Sequence, residues 1–153
     1  MIQKLKRLFK WIPLIWRTGD WDYGYTLEIL SASLEELADH LENHDISEGA
    51  EQKAKQMRFT SKMISRHLNE VASDLVYDRH NEKWGDPIYV QIPIPDTEFH
   101  EIRFERLYAR TVEEREQEEE EMKEAFYMAQ RLEDRDWNLI WDTIKEHMRG
   151  WWC

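Results

Sequence analysis

Two rows of positively charged side chains stand out in a chain whose formal charge is −11. Lys55, Arg58, Lys62 and Arg66 step by three, four and four residues, so on a helix they share one side. Arg103, Arg106 and Arg110 repeat the three-and-four step. A guanidinium fork matches phosphate oxygens, and an aromatic face stacks on a base. With Tyr23, Tyr25 and Tyr108 beside them, these rows could line a cleft for a nucleotide-sized anion. The competing expectation is that neighbouring glutamates take up the cations and that each aromatic belongs to the core.

Other chemistry has less to stand on. His40 and His44 lie four apart with Glu36 one turn earlier, a metal-ligand spacing, but no second ligand-bearing stretch accompanies them. None of the six histidines follows a glutamate by three positions, as di-iron bundles require. No serine sits in a Gly-x-Ser-x-Gly turn, five glycines supply no phosphate-cradling loop, and the one cysteine, Cys153, is last. Neither a metal, nor a cofactor, nor catalysis is expected.

The elements that must position these residues read as all-α, in a single domain over residues 1–153. Residues 1–17 hold Lys4, Lys6, Arg7, Lys10 and Arg17 among apolar side chains and no acid. That composition suits a membrane-surface helix or a signal peptide's opening, but Pro13 and two tryptophans interrupt a signal peptide's apolar core. The segment is expected to lie with its apolar side on the body and its lysines toward an acidic helix. Residues 21–77 form an antiparallel helical hairpin. Its first helix, capped by Asp20 or Asp22, carries Leu27, Leu30, Leu34, Leu37 and Leu41 on one face and ends before Ser47-Glu48-Gly49. Its second runs to about Tyr77 with Ala50, Ala54, Met57, Ile64, Leu68, Val71 and Leu75 inward.

Residues 78–97, punctuated by Gly85, Pro87, Pro93 and Pro95, read as an extended arm with no second strand to pair with, which either lies across the helices or pairs with its own copy. Helix returns from about Thr97 through residues 98–149, with a bend or new cap at Asp136 and a last apolar face of Trp137, Ile140, Trp141, Ile144 and Met148. Net acidity argues against stable nucleic-acid binding and leaves open mimicry of nucleic acid toward a basic partner. No apolar run approaches the ~20 residues of a membrane span.

Trp21-Asp22-Tyr23-Gly24-Tyr25, the stretch from Gly49-Ala50-Glu51 to Ile64-Ser65-Arg66, and Arg149-Gly150-Trp151-Trp152 together resemble a family of small acidic tailed-bacteriophage proteins. Its members share a WDYxY-like opening, a helical middle and a Trp-Trp end. The resemblance does not reach residues 78–97 and brings no catalytic residues. It implies an origin, a place of action in the host cytoplasm, and an accessory role against host machinery or defence.

Joined to the basic rows, that origin predicts a non-enzymatic protein that binds and sequesters a small nucleotide-like defence signal. The alternatives are an inhibitor that binds a host protein through an acidic face over residues 113–124, and a structural component of the virion. Polar helices and an unpaired strand predict a homo-oligomer.

Overall fold

The structure, a computed structural model, describes residues 9, 11–13, 15–16, 23–44 and 48–152. Asp20, Asp22 and Cys153 lie outside the described residues. The chain is mainly helical with one small antiparallel sheet where all-α was expected, and it divides into two compact units. One holds residues 1–69 and 135–153, the other residues 70–134.

In the first unit, α1 (Tyr23–His44) buries Leu27, Leu34, Ala38 and Leu41 at the helical period, as the leucine spacing predicts. Gly49 takes φ +72°, a left-handed turn that other L residues rarely adopt, and α2 (Ala50–Leu68) follows. The two helices pair antiparallel. Tyr23 lies near His67, Ser31 Oγ meets Ser61 Oγ at 2.8 Å, and Arg58 reaches Glu35, Asp39 and Glu42, so partners run backward along α2 as α1 advances. Ala38 and Ala54 are fully buried, and such small side chains let helix backbones approach closely. Ile140, Ile144 and Trp151, from the last stretch of the chain, join the same core. Trp151 also donates its indole N–H to Gln56 Oε1 at 3.0 Å. Trp141 and Met148, expected beside them, are exposed.

The expected continuation of the second helix to Tyr77 does not occur. Asn69 turns its side-chain amide onto the Ser65 carbonyl at 2.6 Å, Glu70 adopts φ 51°, and a new helix, α3, starts at Val71 (Val71–Trp84). Asparagine competes for backbone partners in this way and ends helices. The interruption resets the helical phase, which is why Val71 and Leu75 are exposed and not on the core stripe.

The second unit contains α3, a hairpin and the start of the last helix. Strands β1 (Pro87–Pro93) and β2 (His100–Arg106) pair antiparallel with Tyr89 opposite Phe104 and Val90 opposite Arg103. The extended arm therefore has a partner within its own chain, where the expectation put helix. β2 alternates Ile102 and Phe104 with charged residues, a period of two that the three-and-four spacing of its arginines concealed. Helix begins only at Val112: Thr111 Oγ1 accepts the Glu114 N–H at 3.1 Å while Glu114 Oε2 accepts the Thr111 N–H at 2.9 Å. This capping box closes the first turn of α4 (Val112–His147), which runs unbroken through Asp136.

Ile64 is fully buried and Leu75 exposed, so Ile64→Ala should cost about 2–5 kcal/mol of stability. Leu75→Ala should be nearly neutral, as urea unfolding of both variants would measure.

Candidate functional site

Each cation of the expected site can now be placed. In the first unit Lys55 is exposed and pairs with Glu51 at 2.6 Å within its own helix. Arg58 is held by three carboxylates of α1, Glu35, Asp39 and Glu42, each at 2.7 Å, of which Glu42 and then Asp39 push its pKa further up. Lys62 is exposed with no ion pair among the described residues. Arg66 Nε lies 2.7 Å from Asp136 Oδ2, yet its N–H is not aligned on that oxygen, so the contact is ionic and not a directed hydrogen bond. Asp136 is 1% exposed and receives Arg135 at 3.0 Å on its other oxygen. A buried carboxylate bracketed by two guanidiniums is a structural tie between α2 and α4, not the helix cap its position suggested.

Around that tie the aromatics gather. Tyr23 stands edge-on to Trp137 at 5.9 Å, His67 lies 5.4 Å from Trp137, and Trp141 follows at 5.5 Å. Tyr23 and Arg66 are thus both at this end of the helical hairpin, an expected tyrosine and an expected arginine in one neighbourhood. Tyr25 is half-buried. His40 and His44 stack at 4.3 Å, and no group of three or more potential metal ligands occurs among the described residues.

In the second unit Arg103 pairs with Glu101 on its own strand at 2.9 Å, where the spacing suggested a helix face. Arg106 is an anchor. Its side chain is 7% exposed, and it donates to Glu118 at 2.9 Å, Asn81 at 2.7 Å and the Gly85 carbonyl at 3.1 Å. Glu118 also meets His80 at 3.0 Å. One turn along α4, Glu121 accepts from Lys83 at 2.6 Å, the Trp84 indole at 2.8 Å and Gln117 at 2.9 Å. Lys83 first, then Trp84 and Gln117, hold its carboxyl down to about 2. Gly85, at φ +80°, fits because a Cβ there would lie 2.8 Å from Leu107 Cβ and 3.3 Å from the Tyr108 ring. Arg110 is exposed, and its backbone N–H completes the Glu114 cap.

A recess of about 750 Å³ opens between the hairpin and α4 in this unit, lined by Tyr89, Phe104, Arg106, Arg115 and Met122 among others. Glu105, Glu118 and Glu119 line it too. Three carboxylates against two guanidiniums make a poor seat for a phosphate. Five of the seven expected basic residues are engaged by acids, and Lys62 and Arg110 have no ion pair among the described residues.

Sequence reasoning missed His80 and did not foresee the ties made by Asp136, Glu118 and Glu121. The last two were legible only as members of an acidic run, although their three-residue separation puts them on one face. On the outer side of α4, Glu113, Glu116, Glu120 and Glu124 step by three, four and four and are all exposed. Lys123 pairs with Glu119 and reaches Glu120, while Glu113, Glu116 and Glu124 have no ion pair among the described residues. No helix among the described residues is long and apolar enough to cross a membrane. Compared with protein-family models, curated proteins and solved structures, the chain matches none.

Arg106→Ala should leave Glu118 without its guanidinium and cost about 3–5 kcal/mol, with amide protection lost first in residues 70–134 by hydrogen exchange. Arg103→Ala should be nearly neutral in the same measurement. Because the Glu121 pKa is lowered in the folded state, its contribution is full above the unfolded value near 4.5 and is lost as pH falls toward about 2. The gap in unfolding midpoint between the wild type and Glu121→Gln should therefore close across that window.

Proposed function

We propose that this chain is a non-enzymatic accessory protein that binds a basic protein partner through the outer face of α4. The observation that carries this reading is the exposed row Glu113, Glu116, Glu120 and Glu124, set along one side of a helix with a closed first turn. A helix rises about 1.5 Å per residue, so the row places a charge roughly every 5 Å, a linear acidic array of the kind a phosphate-binding surface accepts. The neighbouring carboxylates Glu118 and Glu121 are tied down by Arg106, Lys83 and Trp84, which fixes the helix that presents the row.

This reading is preferred to a small nucleotide-like ligand because Arg58, Arg66, Arg103 and Arg106, which would have held it, already pair with acids. The phage resemblance supplies a setting, the cytoplasm of a bacterial host, and a class of partner, a nucleic-acid-binding host protein. Assembly of copies through the hairpin is compatible with this role, since β2 is exposed along almost its whole length.

Capture of nucleic-acid-binding proteins from host lysate should be competed by duplex DNA and weaken steeply with salt. Replacing Glu113, Glu116, Glu120 and Glu124 by glutamine should abolish it without lowering the thermal midpoint. Capture that survives all four replacements refutes the reading.

A further inference from the structure

We propose that the segment around residues 9–16 docks in the plane of an anionic lipid surface. The described residues there, Phe9, Trp11, Ile12, Pro13, Ile15 and Trp16, are helical. Phe9, Ile12 and Trp16 step by three and four and so share one side, and they are 68%, 42% and 89% exposed. Trp11 points elsewhere, roughly a third of a turn around the helix from them. It alone among these residues is half-buried, and it lines a recess with Ser33, Glu36, Leu37 and His40. The segment meets the body through Trp11, itself apolar, and carries a second apolar side besides. Phe9, Ile12 and Trp16 face outward with nothing among the described residues to cover them.

Charge selects the occupant. Residues 1–17 contain Lys4, Lys6, Arg7, Lys10 and Arg17 and no acid, whereas all 32 aspartates and glutamates follow. An apolar face bearing tryptophan and phenylalanine, with lysine and arginine in the same short segment, is the composition of a helix that lies in a bilayer interface. Anionic headgroups attract such a segment, at about 1 kcal/mol per basic residue near the surface. A second copy meeting this one segment to segment would bring five more cations against these five, and a basic protein would be repelled likewise. An anionic bilayer meets both the apolar residues and the charge.

The test is sedimentation of the full-length chain with vesicles of phosphatidylcholine alone and of phosphatidylcholine mixed with phosphatidylglycerol. Uptake is expected on the mixed vesicles, little on the neutral ones, and less as salt rises. Phe9→Glu with Trp16→Glu should lower affinity roughly tenfold or more. Lys6→Gln and Lys10→Gln should each lower it about fivefold. All four positions lie in this segment alone, so circular dichroism and thermal midpoints should match the wild type. The glutamine variant of the α4 row should bind vesicles unchanged, which separates this proposal from the partner-binding reading. Absent uptake, equal uptake on neutral vesicles, or uptake indifferent to the substitutions overturns it. So does a dimer that Phe9→Glu with Trp16→Glu dissolves while vesicles take up neither protein, because the face would then join two copies.

Discussion

Thirty-two carboxylates compete for twenty-one lysines and arginines in this chain, so a cation in its folded part meets an acid before anything else. That imbalance decides most of the polar architecture. Arg58 bridges to three acids of the facing helix, Arg66 to a buried aspartate, and Arg106 to a glutamate that a histidine also contacts. Each of these pairs joins two different elements, and the directed ones hold their partners in register as well as close. The acids left over are pushed to the outside, where α4 displays them.

The two units use this chemistry differently. Residues 1–69 with 135–153 enclose an apolar core of leucine, alanine, methionine and isoleucine, closed by Trp151. Residues 70–134 bury mainly Ala72, Trp84, Ala109 and Ala129 together with Ser73 and His80. So thin an interior cannot organise a hairpin by burial, and a two-stranded sheet is at best marginally stable alone. The hydrogen bonds of Arg106 to Glu118, Asn81 and Gly85 supply what the apolar contacts lack.

Where the sequence was legible, a single period ran long enough to be counted. Leu27, Leu34 and Leu41 define α1, and Ala50, Ala54, Met57 and Ile64 define α2. It misled where two periods overlapped. Arg103, Arg106 and Arg110 repeat at helical spacing, yet Ile102 and Phe104 alternate at strand spacing, and cross-strand pairing with Tyr89 and Gln91 decided the outcome. The end of α2 depended on one asparagine side chain, and the start of α4 on a Thr111–Glu114 pair, both single-residue signals inside long polar stretches. The site was harder still. Residue type announced seven cations, and local spacing explains the pairing of Lys55 and Arg103, but the acids that engage Arg58, Arg66 and Arg106 belong to other elements, and no local pattern encodes that.

Two glycines among the described residues, Gly49 and Gly85, share a positive φ and differ in everything around it. Gly49 has open space where a side chain would go, whereas at Gly85 the methylene of Leu107 already occupies that space. Among descendants of this chain, the first position is free to drift toward asparagine or aspartate, residues that tolerate the left-handed region. The second has no viable neighbour in sequence space, because its φ strains any L residue and the Leu107 Cβ, which a smaller residue would keep, stands in the way. A residue with no functional group would thus be among the slowest to evolve, and its invariance would record crowding and not chemistry.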